Sequence, residues 1–179
     1  AGLLLGAALV TLTFAVLAAL GAYRFDGINP FTVMLLVPLA ELVLVGLAEE
    51  MVFRGVIFGV TERSLGSKAA IVISALVFGV AHLPNEGVSV LACAAIVGYG
   101  VLQAALYMTT RRLWLCTGTH VAWNYCVSQV FSSAVSGHAA SAGLLRGNLV
   151  GDTMLTGGVF GVEGSLITVL VVGAAAAFA

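Results

Sequence analysis

The chain has 179 residues, of which 61% are hydrophobic and 8% charged, with a formal net charge of −1 and a mean hydropathy of +1.14. A soluble domain carries about 25% charged residues, so this composition is that of an integral membrane protein. Seven basic and eight acidic residues scattered along the chain make no basic patch, which argues against nucleic acid as a partner.

Crossing a bilayer core takes about 20 apolar helical residues, and six apolar segments are read as spans of one all-α, polytopic transmembrane helix bundle. The first runs from Leu3 to about Tyr23 without a charge and ends at Arg24-Phe25-Asp26-Gly27, an expected interfacial turn. It has spanning length and no basic leader, so it reads as a span and not as a signal peptide. The second runs from about Phe31 to Val60. At roughly 30 residues it exceeds one perpendicular crossing, so it is expected to tilt, to bend near Pro38, or to project from the bilayer. The polar break Thr61 to Lys68 follows.

The third span, Ala69 to about His82, is short and stops at Leu83-Pro84-Asn85-Glu86-Gly87. The fourth runs from Val88 to about Met108 and ends at Arg111-Arg112, and the fifth from Leu113 to about Phe131. Ser132 to Gly164 is rich in Ser and Gly and is expected to form loop or short interfacial helices, before a last span from Ser165 to Ala179. With alternating spans, Arg63, Lys68, Arg111 and Arg112 share one side and Arg24 and Arg146 the other, which favours the first side as cytoplasmic. No internal repeat is evident, so residues 1–179 read as one membrane domain. Cys93, Cys116 and Cys126 lie in apolar segments without CxxC spacing and read as small core residues.

The second span carries Ala48-Glu49-Glu50-Met51-Val52-Phe53-Arg54-Gly55. A charge at the bilayer centre costs about 2.5–3.5 kcal/mol on insertion scales and is tolerated where it faces a protein interior or a cavity and has work there. Glu50 and Arg54 are four apart and share a helix face, so they can pair. Glu49 sits about 100° round the helix and stays free for proton transfer. Phe78 and His82 in the third span, and His120 and Asn124 in the fifth, repeat the four-residue spacing. A glutamate, two histidines and an amide on three helices can together activate a water and stabilise an oxyanion, which amide hydrolysis requires.

Glu49-Glu50-x-x-x-Arg54, Phe78-x-x-x-His82 and His120-x-x-x-Asn124, in that order on separate apolar spans, resemble the three motifs of the CPBP intramembrane proteases, which include the type II CAAX prenyl endopeptidases. The resemblance covers about residues 31–131, the expected protease core. The stretch from Leu155 to Gly164 also resembles the tail of many bacterial members, with no chemistry attached to it. The resemblance implies a multi-pass protein of a bacterial or archaeal cell membrane, and a glutamate-dependent endopeptidase with no acyl-enzyme and no cofactor. Its substrate would be a membrane-associated peptide or protein, prenylated or not. By carry-over, Glu49 with His82 activates the water, His120 with Asn124 stabilises the oxyanion, Glu50 and Arg54 form the supporting pair, and Phe78 packs the site. Residue spacing alone does not separate the roles of the two histidines.

Two other readings use the same residues. A zinc peptidase could take Glu49 or Glu50 with His82 and His120 as ligands, although no HExxH motif is present. A transporter, scaffold or immunity protein could use the buried charges as an ion path, although the internal repeat common in transporters is absent. Glu41 reads as an interhelical or cavity-lining group, His138 as an exposed loop residue, and Trp114, Trp123 and Tyr125 as packing or interfacial aromatics. Gly79 and Gly98 are expected to allow close helix approach. Upright helices would leave His82 and His120 at different depths.

Overall fold

A computed structural model describes residues 1–179, and 72% of them are helical. The helices are α1 (Gly2–Ala19), α2 (Val37–Glu50), α3 (Gly59–Leu65), α4 (Ser67–Ala81), α5 (Val90–Thr110), α6 (Leu113–Tyr125), the single turn α7 (Thr153–Thr156) and α8 (Leu166–Phe178). Two of them, α1 and α5, are long and apolar enough to cross a membrane, while α4 and α8 are shorter apolar helices.

Between α2 and α3 the chain does not break: residues Met51–Phe58 continue as π-helix. The helix therefore runs unbroken from Val37 to Leu65, about 43 Å at 1.5 Å per residue. That length exceeds one perpendicular crossing of about 30 Å, as expected of the second segment, and near its far end the Glu62 carboxylate takes both guanidinium nitrogens of Arg111. The Arg111 guanidinium beside it holds the Glu62 carboxyl below the usual carboxylate range. Pro38 makes no bend. It sits in the first turn of α2, where a missing N–H costs nothing.

Helix directions follow from which residues meet. Gly2 and Gly6 of α1 lie against Leu115 and Thr119 of α6, so these two run parallel. Leu35, Gly46 and Glu50 meet Tyr125, Val121 and His120, so α2 runs antiparallel to α6. Helices α4 and α5 are antiparallel and close, because a Cβ on Gly100 would sit 2.9 Å from Ala75 Cα. Gly100→Ala is accordingly expected to cost about 1–3 kcal/mol by overpacking, read as a lower thermal midpoint in detergent; an unchanged midpoint would mean that the two helices part freely. Gly79 plays a similar part against Val97, whereas a Cβ on Gly98 would only touch Val172 at 3.7 Å, so Gly98 is not required for the approach.

The chain is not purely helical. Tyr23–Ile28 (β1) and Leu145–Leu149 (β2) pair antiparallel, with Arg24 opposite Asn148 and a register shift at Asp26. The expected turn after the first span and part of the expected loop between the fifth and last spans are thus one two-stranded ribbon. Its polar ladder is held by Asn148 Nδ2 donating to Asp26 Oδ2 at 2.9 Å and by Arg146 donating to the Asp26 carbonyl at 3.0 Å. Arg24 and Arg146 are grouped at this end, and Arg111 with Glu62 at the other.

Candidate active site

The stretch from Ala48 to Gly55 ends α2 and enters the π-helical segment, where the backbone bonding widens from i→i+4 to i→i+5; such turns recur at functional sites. Glu50 and Arg54 nonetheless meet, Nη1 to Oε1 at 3.2 Å, with both side chains fully buried. The guanidinium uses a second nitrogen as well, while Nε has no hydrogen-bond partner. Its Nη2 donates to the Gly100 carbonyl at 3.0 Å, and the cation lies over the Phe78 ring, 4.8 Å from its centroid.

Glu50 does more than pair with arginine. Its Oε1 also accepts from Gln103 Nε2 at 3.1 Å and meets His120 Nδ1 at 2.9 Å. One carboxylate oxygen therefore gathers groups from the π-helical stretch, α5 and α6. Because a carboxylate only accepts, the proton of His120 sits on Nδ1, and Nε2 is turned to Glu49, 3.8 Å from its Oε2. Glu49 is half-buried, and that Oε2 has no hydrogen-bond partner.

His82 follows the last residue of α4, and its ring folds back along the final turn, with Nδ1 2.8 Å from the Phe78 carbonyl. Donation to that carbonyl fixes Nδ1 as the protonated nitrogen and leaves the Nε2 lone pair free. The Phe78 ring lies 4.6 Å from His82 and 6.2 Å from His120, so both imidazoles gather about one aromatic ring. The depth mismatch expected of upright helices is not realised.

Glu49, His82, His120 and Asn124 all line one open cavity of about 580 Å³. Asn124 lines it, and its main-chain carbonyl takes the Ser128 hydroxyl. Glu41 lines the same cavity, as read from the sequence. His138 is exposed in a loop as expected, and it too lines the cavity, which its sequence context did not suggest. No three His, Cys, Asp or Glu side chains are grouped as a metal-ligand set.

Sequence reasoning missed three polar residues. Gln103 is fully buried and, besides Glu50, donates to the Cys116 carbonyl at 3.0 Å and meets the Tyr99 hydroxyl at 3.4 Å. Tyr99 stacks edge-on to His120 at 5.7 Å. Glu163, set among glycines, is buried against Trp123 and Ser136. Tyr99 and Gln103 share the four-residue spacing of the other motifs, the one signal that marked them.

A family model described as type II CAAX prenyl endopeptidase Rce1-like matches residues 29–126, which span every motif residue from Glu49 to Asn124. No curated protein and no solved structure matches the chain.

Proposed function

The chain belongs to the Rce1-like family of type II CAAX prenyl endopeptidases, and on that premise we propose that it is a glutamate-dependent intramembrane endopeptidase. The observation that carries the reading is the shared cavity of Glu49, His82, His120 and Asn124. Members of this family are integral membrane proteins. Six spans, with the Arg63, Lys68, Arg111 and Arg112 end cytoplasmic, form the bundle around that cavity, in a bacterial or archaeal cell membrane.

In the reaction, water attacks the scissile carbonyl carbon while Glu49 takes its proton, with the free His82 Nε2 orienting the water. Negative charge develops on the carbonyl oxygen. It is met by the Asn124 amide and, in the protonated ring, by His120 Nε2–H, whose Nδ1–H stays on Glu50. Collapse breaks the C–N bond, and Glu49 returns the proton to the leaving amine. No bond to the protein forms at any stage. Glu50, Arg54 and Gln103 hold His120 in place, and Phe78 packs between the two imidazoles.

The substrate is a membrane-associated peptide or protein, and lipidated ones are within its range. The test is cleavage of membrane-associated peptides, with and without a prenyl group, by the purified protein in detergent. Cleavage unaffected by a chelator is expected. Activity lost in chelator and restored by zinc would move the assignment to a metallopeptidase. Absence of all cleavage, with proton or solute flux that depends on Glu49, would establish an ion path instead.

A further inference from the structure

Glu163 lies outside the three motifs, and no step of the proposed reaction uses it, yet its carboxylate is buried at 4% exposure and fully engaged. Oε1 accepts from the Trp123 indole at 2.6 Å, and Oε2 accepts from both the hydroxyl, at 2.7 Å, and the amide N–H of Ser136. Trp123 is the residue between His120 and Asn124 that packs against Tyr99, centroids 5.2 Å apart. Ser136 is the key of a strap, Ser133–Gly137, that closes one wall of the cavity holding Glu49.

The strap is held against its own preferences. Ser136 has φ of 48°, in the left-handed region that a serine seldom adopts. Its carbonyl accepts from Asn85 Nδ2 at 2.9 Å, in the loop three residues beyond His82. The next amide, of Gly137, donates to the Phe160 carbonyl at 3.0 Å. One carboxylate therefore links α6, the strap and, through Asn85, the segment that follows His82. Glu163, His82, His120, Asn124 and Ser136 also line a common small pocket beside the main cavity.

We propose that Glu163 is a positioning residue of the site: its carboxylate clamps the strap to Trp123 and so fixes the cavity wall and the side of α6 that presents His120 and Asn124. This rests on the endopeptidase reading for its consequence, though not for the clamp itself. A carboxylate suits the place because it accepts on both oxygens. An amide would turn one of them into a donor facing a donor.

Two measurements on the full chain in detergent test this: amide hydrogen exchange of residues 133–138, and kcat for peptide cleavage per folded protein. Glu163→Gln is expected to speed exchange at Ser136 at least about tenfold and to lower kcat roughly 10- to 100-fold, as small misplacements of reacting groups do. Trp123→Phe should lower kcat as well, and the double variant should lose little more than the worse single one, because both break the same link. If Glu163→Gln does not fold, Trp123→Phe and Ser136→Ala each remove one donor and carry the same two readouts. Unchanged strap exchange overturns the clamp. Faster exchange with wild-type kcat reduces Glu163 to a purely structural group and overturns the positioning role. If the wild type cleaves no peptide, the endopeptidase reading falls alone, and exchange still decides the clamp.

Discussion

Glu49→Gln is expected to lower kcat for peptide cleavage by about 10²–10⁴-fold, the range lost when a positioned general base is removed. The substitution keeps shape and volume and takes away only the ability to accept a proton. It should also leave the fold intact, because Glu49 is half-buried and its Oε2 serves no hydrogen bond. That separates it from its neighbour Glu50, whose one oxygen collects Arg54, Gln103 and His120. The check is kcat on a fluorogenic membrane-associated peptide, measured beside a thermal unfolding curve of the same preparation. Activity within tenfold of wild type, in a protein of unchanged midpoint, would mean that the proton goes elsewhere. His82, with its free Nε2 in the same cavity, would then be the first group to test.

Much of this centre is legible in the sequence because its signals are local. Four-residue spacing puts Glu50 on Arg54 and Phe78 beside His82 whatever the rest of the chain does, and the structure has both contacts. The spacing of His120 and Asn124 likewise puts both on one wall. Local spacing says nothing of partners across helices. That His120 takes Glu50 through one nitrogen and faces Glu49 with the other depends on how α2 packs on α6, which Gly46 permits by lying close to Val121. The β1–β2 ribbon was hidden for a related reason. Its strands are short and more than a hundred residues apart, and the alternation of Tyr23-Arg24-Phe25-Asp26 lasts only four residues before the register shift, too few to mark a strand beside the long apolar spans. The π-helical stretch has no compositional signature at all. Gln103 and Glu163 are single polar residues in apolar or glycine-rich surroundings, and what makes them informative is burial, which only the fold supplies.

Arg54→Ala is expected to destabilise the protein by about 3–5 kcal/mol, the usual cost of stripping the partner from a buried ion pair. Both side chains are fully buried, so water cannot replace the lost guanidinium on Glu50. The same change opens the Gly100 carbonyl and removes the cation from the Phe78 ring. Arg54→Lys should rescue only in part, since an ammonium cannot serve Glu50 and Gly100 at once in the geometry of a planar fork. Removing both charges is the sharper control. Glu50→Gln combined with Arg54→Met leaves no uncompensated charge and should recover much of the stability. It should not recover full activity, because a neutral amide holds the Nδ1–H of His120 less strongly than a carboxylate does and so orients the ring less firmly towards the oxyanion. Unfolding midpoint and monodisperse yield in detergent measure the first effect, and kcat the second. A stable, fully active Arg54→Ala protein would deny the ion pair any part in holding the site.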